Sequence, residues 1–331
     1  MIISGDPSST DADDALLPQT GVDIRDFAVP VAQHGQRLDR VLAEAVPEFS
    51  RSYLQQLVTD GAVLLNGAVA RKPALRVHAG DALQLELRPT PQSNAFVAQA
   101  MALAVVHEDA HLLVIDKPAG LVVHPAPGNW SGTLLNGLLA YDAAFAHLPR
   151  AGIVHRLDKD TSGLMLVARS RQAMDALVGM IAARSVQRQY LALAQRHWSG
   201  PVQRDIQGAI GRDPANRLRM AVLDPARHST KAARTTVDLL ANAEDACLVR
   251  CTLHTGRTHQ IRVHLASIGH PLVADVTYGG RPAATLGRQG LHAFRLALQH
   301  PVSGHPLEFV SGLPTDLRQA IVASGLRYNL E

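Results

Sequence analysis

The stretch AGIVHRLDKDTSGLMLVAR, residues 151–169, sets one carboxylate, Asp158, among His155, Arg156 and Lys159. It then releases the chain through Asp160-Thr161-Ser162-Gly163 into an apolar run. Nearby positive charge favours the carboxylate form of an acid, and a turn at the mouth of a strand presents such a group to a bound substrate. A lone aspartate in a charged turn more often closes a surface salt bridge, so the stretch needs partners elsewhere in the chain. HRLDKD also imitates the catalytic loop of a protein kinase. Leu157 separates the Arg from the Asp, however, and neither a glycine-rich nucleotide loop nor an Asp-Phe-Gly accompanies it.

A second group lies in HTGRTHQIRVHLASIGHP, residues 254–271. Thr258 is the expected cap of a helix that turns Ile261, Leu265 and Ile268 inward and stops at Gly269. Arg257 and Arg262 then stand near a helix N-terminus, where backbone amides favour anions. Ordinary surface charge is the plainer reading. His259 and His264 are five apart rather than the four of a helical metal pair. Cys247, Cys251, His254 and His259 imitate a zinc set, but on a strand the two cysteines share one face and His254 takes the other.

A third candidate is Tyr190, in VQRQYLALA. Aromatic residues make up only 4% of the chain, and a Tyr on a strand face with Arg188 suits a base stacked beside a phosphate. A half-buried structural Tyr is the commoner case. Further upstream, Arg37, Arg40, Arg51, Arg71, Lys72 and Arg76 are placed to form a basic face for an RNA backbone. Residues 31–88 nonetheless hold seven Lys and Arg against six acids, so charge alone does not establish that face.

These groups need a scaffold, and 331 residues, 47% of them hydrophobic, suffice for more than one core. Net charge is +3, unevenly spread: residues 1–24 hold five Asp and no Lys or Arg, leaving 32 basic against 24 acidic residues beyond them. A mildly basic body is compatible with nucleic acid. The start lacks a secretory signal and no run is long enough to span a membrane, so a cytoplasmic protein is expected. Two cysteines make no disulfide framework.

Residues 1–25 read as an acidic, disordered tail. Leu38, Val41, Leu42, Ala45 and Val46 form a helix face, and Ser50 caps a second helix with Leu54, Leu57 and Val58 inward. AVLLNGAVA is a strand, an Asn-Gly turn and a strand, and DALQLELRP closes this unit near Arg88. Residues 89–104 read as a linker. Beyond it, strands are expected at HLLVIDKP, LMLVAR, VQRQYLALA, DACLVRCTL and LHAFRLALQHP. Helices are expected at TLLNGLLA and around Met174, Leu177, Val178 and Ile181. The order is not a regular alternation, so the fold class is α+β, with a mixed, largely antiparallel sheet flanked by helices.

HRLDKDTSGLMLVAR resembles the signature of the RluA/RluD-type pseudouridine synthase family. HEDAHLLVIDKPAGLVVHPAPGNWSGTLLNGLL, RSVQRQYLALA, TGRTHQIRVHLASIGHPLVADVTYGG and LHAFRLALQHPVSG are similar to its other motifs, in order over about residues 103–318. Residues 31–88 resemble the S4-like (alpha-L) RNA-binding domain. Together they imply an acidic tail (1–25), an S4-like domain (26–88), a linker (89–104) and a pseudouridine synthase catalytic domain (105–331). The resemblance is to the D-type branch, which implies isomerisation of uridines in the helix 69 stem-loop of 23S ribosomal RNA. Three departures stand out: Ala274 where the family usually has Gly, Arg188 for a frequent Lys, and a short RPAATLGRQG loop.

By this resemblance Asp158 is the catalytic carboxylate, Arg262 pairs with it and Tyr190 stacks on the uracil. Arg156 fills the space of the flipped base, and His155, Arg188, Arg257, Arg37, Arg40, Arg51 and Lys72 bind substrate. The reaction oxidises nothing and imports no group, so no cofactor or metal is expected, and the chain is expected to act as a monomer with no membrane partner. Attack on the sugar, attack on the base and elimination from the ribose all stay open as routes. A two-carboxylate glycosidase using Asp160 is disfavoured, because hydrolysis would lose the base. Alternative readings are the same chemistry at another rRNA or tRNA site, or a ribosome-assembly factor that binds RNA without catalysis.

Overall fold

The computed structural model describes residues 23–88, 95–283 and 285–328, and the chain divides between Ser93 and Asn94 into two units. In the first, the helical spacing of Leu38, Val41 and Leu42 produces α1 (Leu38–Ala45), with all three side chains fully buried. Ser50 caps α2 (Arg51–Thr59) by accepting from the Tyr53 amide, an arrangement contributing about 1 kcal/mol. Leu54, Leu57 and Val58 of α2 pack into the same core. Asn66 and Gly67 both take positive φ, as a tight hairpin turn requires, and join β2 (Val63–Leu65) to β3 (Ala68–Val69). With β1 (Asp23–Ala28) and β4 (Ala82–Leu87) they form a four-stranded sheet in the order β1-β4-β2-β3.

Two boundaries differ from expectation. Residues 1–22 of the acidic tail lie outside the described residues, but Asp23, Ile24 and Arg25 belong to β1 and pair with Leu87, Glu86 and Leu85. Of the linker, 89–94 lie outside the described residues, while the chain from Ala95 packs onto the second unit. Asn136, inside α3 (Leu134–Tyr141), donates to the carbonyls of Ala95 and Val97 at 3.2 and 2.8 Å. A buried amide needs such partners, and this one fixes the segment.

The second unit is built on a ten-stranded sheet. Its first strands are β5 (Val105–Glu108), β6 (Leu112–Lys117), β7 (Ser162–Ala168) and β8 (Gln187–Gln195). β9 (Gln203–Arg212), β10 (Met220–Val222), β11 (Thr230–Asn242), β12 (Ala246–Leu253), β13 (Leu291–Gln299) and β14 (Pro306–Val310) complete it. The order is β10-β9-β11-β12-β8-β13-β7-β6-β5, with β14 also on β13. Every pairing is antiparallel except β13 with β7, so the expected α+β class with a mixed, largely antiparallel sheet is observed.

β6 and β7 are buried on both faces, which explains their continuous apolar runs. Leu113, Ile115, Met165 and Val167 join α3 and α5 (Gln260–Ser267) in one core. Leu112, Val114, Leu164 and Leu166 meet Ala173 and Leu177 of α4 (Arg171–Ala182) on the other side. Cys247 and Cys251 are free thiols buried in the first of these cores, and among the described residues no cluster of His, Cys, Asp and Glu is placed to hold a metal. No described helix is long and apolar enough to cross a membrane.

β9, β10 and β11 were not expected from the sequence. They lie at one end of the sheet, and β11 buries Ala233, Thr235 and Val237 in alternation, but two of these three are small or polar, so the apolar signal is weak. At the sheet's centre β13 first runs parallel to β7, pairing His292 with Ser162 and Ala293 with Gly163, and then takes β14 from Arg295 onward. A Cβ at Gly163 would lie 2.2 Å from the Ala293 carbonyl oxygen, and its φ is +116°, so only glycine permits this approach.

Candidate active site

Lys117 ends β6 on the face of Leu113 and Ile115, so its stem enters the core and its ammonium must find oxygens there. It donates to the carbonyls of Pro118, Leu121 and Lys159 at 2.8, 3.0 and 3.0 Å. The Gly120 amide also donates to Lys159 O at 2.9 Å, and the Thr161 amide to Asp158 O at 3.1 Å. The turn that carries Asp158 is thereby fastened on both sides. Burial lowers the Lys117 pKa to about 8, against the opposing pull of Asp160 and Asp158. Lys117 was not singled out from the sequence, although a lysine at an inward position of an apolar strand was the available signal.

Asp158 accepts through Oδ2 from Arg262 Nη1 at 3.2 Å, as the resemblance implied. Arg262, in the first turn of α5, also makes a two-pronged pair with Asp275: Nε at 2.7 Å and Nη2 at 2.8 Å. Burial opposes the charge on Arg262, but the hydrogen bonds and charge of Asp275, joined by Asp158, raise its pKa above the ordinary value. Its guanidinium also lies over the Tyr278 ring, 4.9 Å from the centroid. Ala274 takes φ +61° immediately before Asp275. That conformation costs a non-glycine residue roughly 1 kcal/mol and accounts for glycine as the usual family residue there.

The Tyr278 hydroxyl accepts from the Met220 amide at 3.0 Å and is hydrogen-bonded to His259 Nδ1 at 2.7 Å. Burial lowers the His259 pKa, against the opposing pull of Asp158, and Nε2 stands 3.9 Å from Asp158 Oδ1. This placement overturns Thr258 as the helix cap. His259 takes the cap position with φ +56°, and Gln260 Oε1 closes the preceding turn by accepting from the Arg257 amide and the Thr255 hydroxyl. Asp275, Tyr278 and the inward His259 were not foreseen as site residues, since their partners are distant in sequence.

The catalytic-unit residues singled out from the sequence share one cleft of about 370 Å³: Asp158, Tyr190 and Arg262, with His155, Arg156, Arg188 and Arg257. Arg184 joins them, and Asp158 is the only acid in that lining. Tyr190 is buried on β8, and burial pushes its hydroxyl up to about 12, so it remains a phenol. Arg188, on the same strand face, is 5% exposed, and its Nε has no hydrogen-bond partner among the described residues. Arg257 Nε donates to Ala232 O, and Arg156 is exposed. His155 lines the cleft as a weakly basic ring rather than a cation. Its Nε2 accepts from the Leu166 amide at 2.9 Å, and burial, with Arg188 nearby, lowers its pKa to about 3.

In the first unit Arg37 and Arg51 converge on the buried carboxylate of Asp39, each at 3.0 Å, and Gln55 donates to it as well. The Arg37 hydrogen bond is the main influence holding Asp39 far below the usual carboxylate range, against the cost of burial. Arg40 pairs with Glu44, and Lys72 is exposed.

Residues 111–267 match the family model described as RNA pseudouridylate synthase, and residues 36–83 match the S4 domain. A relative from Neisseria meningitidis serogroup B, named ribosomal large subunit pseudouridine synthase D, is 42% identical, with 98% of this chain and 87% of the relative covered. One of the same name from Pseudomonas aeruginosa is 45% identical over 87% of this chain and 92% of its own. The solved structure of human RNA pseudouridylate synthase domain containing 4 matches the fold with a TM-score of 0.53 at 24% identity, covering 68% of this chain and 94% of that one. The chain therefore belongs to the RNA pseudouridine synthase family of isomerases, with an S4 domain ahead of the synthase unit.

Proposed function

We propose that this protein converts specific uridines to pseudouridine in large-subunit ribosomal RNA, in the helix 69 stem-loop of 23S rRNA, with Asp158 as the catalytic carboxylate. It acts as a cofactor-free monomer in the cytoplasm. The observation that carries the reading is Asp158 paired with Arg262 at 3.2 Å in an arginine-lined cleft beside buried Tyr190. Relatives 42–45% identical, named for the ribosomal large subunit, supply the substrate class.

The isomerisation breaks the bond from C1′ to N1, turns the uracil and joins C5 to C1′. C5 then loses a proton and N1 gains one, so atoms balance within the nucleoside. A carboxylate beside the anomeric carbon assists the first and third steps, as in glycosidic chemistry. Arg262 engages Oδ2 of Asp158 and leaves Oδ1 for the sugar, since His259 stands 3.9 Å off. Tyr190 stacks on the uracil and, as a phenol, exchanges a proton with it. Arg156 enters the space of the flipped base, Arg188 and Arg257 meet phosphates, and Arg37, Arg40, Arg51 and Lys72 hold the RNA backbone.

The test is pseudouridine formation in 23S rRNA fragments by the wild type and by Asp158→Ala, with RNA binding followed in parallel. Conversion by the wild type alone, with both proteins binding, is expected; loss of at least about a thousandfold is on the scale of removing a sole nucleophile. Binding without conversion by either protein, on rRNA and on tRNA, would leave an assembly factor. Conversion of tRNA alone would overturn the ribosomal target.

A further inference from the structure

Leu218 is 84% exposed and Val276 is 71% exposed. Single apolar residues are ordinary on a protein surface, but these two share a setting. Met220 donates its amide to the Tyr278 hydroxyl at 3.0 Å, and Leu218 and Val276 each stand two residues before one end of that bond. Both line a cleft of about 690 Å³ that also holds Asp158, Arg156, Lys159 and Arg219.

The tip that presents Leu218, between β9 and β10, is firmly held. Its own amide donates to Asn216 Oδ1 at 3.0 Å, and Arg212 Nη1 donates to the Arg217 carbonyl at 2.8 Å. The Asp213 amide donates to Arg219 O at 3.0 Å, and the Arg219 amide to Asn216 O at 2.9 Å. An apolar side chain carried in the open on a hydrogen-bonded backbone contributes nothing to the core, yet its backbone is already ordered for contact with a partner. Beside Asp158 the partner's chemistry is constrained. Cations meet phosphates, and the apolar surface that becomes available there is the pair of base faces separated when a nucleotide turns out of its stack. Aliphatic side chains are the usual wedge in such a step and carry no donors to read sequence.

We propose that Leu218 and Val276 form an apolar wedge that packs on the base face exposed beside the space Arg156 enters, when the uridine turns into the cleft. The wedge rests on the isomerase reading above and adds a device for holding the flipped state, in a cleft that shares Asp158 but not Tyr190 with the first.

The experiment uses the full chain carrying Asp158→Ala and a 23S rRNA stem-loop with 2-aminopurine next to the target uridine. Binding should raise the fluorescence several-fold as the step opens. Adding Leu218→Ser and Val276→Ser, both exposed and harmless to folding, should cut that rise by at least half while Kd changes less than about threefold. An unchanged rise, or none in the parent, overturns the wedge. With Asp158 intact, the double substitution should lower kcat/KM on the stem-loop by roughly tenfold, as for losing two buried aliphatic contacts. On a stem-loop whose uridine is mismatched and already cheap to flip, the loss should be small. Equal loss on both RNAs overturns the wedge. The fluorescence needs no turnover, so failure of the isomerase reading shows separately, as absence of conversion by the wild type.

Discussion

Both units of the chain set a buried aspartate against arginines, and they turn the pair in opposite directions. In the S4 unit Asp39 is fully buried while the Arg37 and Arg51 side chains it holds are 46% and 51% exposed. In the synthase unit Asp275 is 1% exposed and the Arg262 it holds only 8%. The outward version orders two exposed cations, which on the proposed function would reduce the entropy lost when RNA binds. The inward version commits one cation to orienting a second carboxylate, Asp158. On the proposed function, one device would serve affinity where its arginines face water and chemistry where they do not.

Breaking the inward pair should have the larger effect. Asp275→Ala leaves Arg262 buried with half its partners gone, and is expected to destabilise the fold by about 3–5 kcal/mol, the scale for breaking a buried ion pair. Asp275→Asn keeps the shape and should fold. Its kcat on rRNA fragments should fall roughly a hundredfold, the scale for misorienting a reacting group, with KM little changed; a loss confined to KM would place Asp275 in RNA binding instead. Breaking the outward pair gives the converse. Asp39→Ala should weaken RNA binding by roughly tenfold through disordered cations and leave kcat at saturating RNA unchanged, and a fall in kcat would erase the contrast between the units.

Acidity sharpens the comparison further, because the synthase unit also buries neutral histidines. The pKa values of His155 and His124 are lowered by burial to about 3 and about 4, against an ordinary 6.5. The unfolded chain therefore takes up protons below pH 6.5 that the folded chain refuses, so stability is full above pH 6.5 and declines as the pH falls toward 3. Urea midpoints at pH 7.5, 6 and 5 should fall in that order, and His155→Gln, which can still accept from the Leu166 amide, should flatten the decline. Midpoints that rise on acidification would mean the folded protein takes the protons up.

Local signals in the sequence translated directly into structure. The spacing of Leu38, Val41 and Leu42, the Ser50 cap and the Asn66-Gly67 turn each act within a few residues, and each forms as expected. β9, β10 and β11 were hidden because inward positions such as Ala233 and Thr235 are small or polar, so the burial alternates while the apolar pattern does not. In the site, Asp158 and Arg262 are 104 residues apart, and their meeting was legible only through the family resemblance. Asp275 and Tyr278 carried no local pattern. Thr258 had the right chemistry for a cap, but the left-handed turn at His259 brings that ring beside Asp158 instead.

Lys117 gives the catalytic turn a built-in clock. Its amine, with a pKa of about 8, would acylate readily if it met solvent, but it is 1% exposed and bonded to three carbonyls. An acylating reagent can reach it only when residues 118–121 part from Lys159 through local opening. The rate of that labelling therefore counts the openings of the segment that presents Asp158, and bound RNA should slow it in proportion to how tightly the turn is closed.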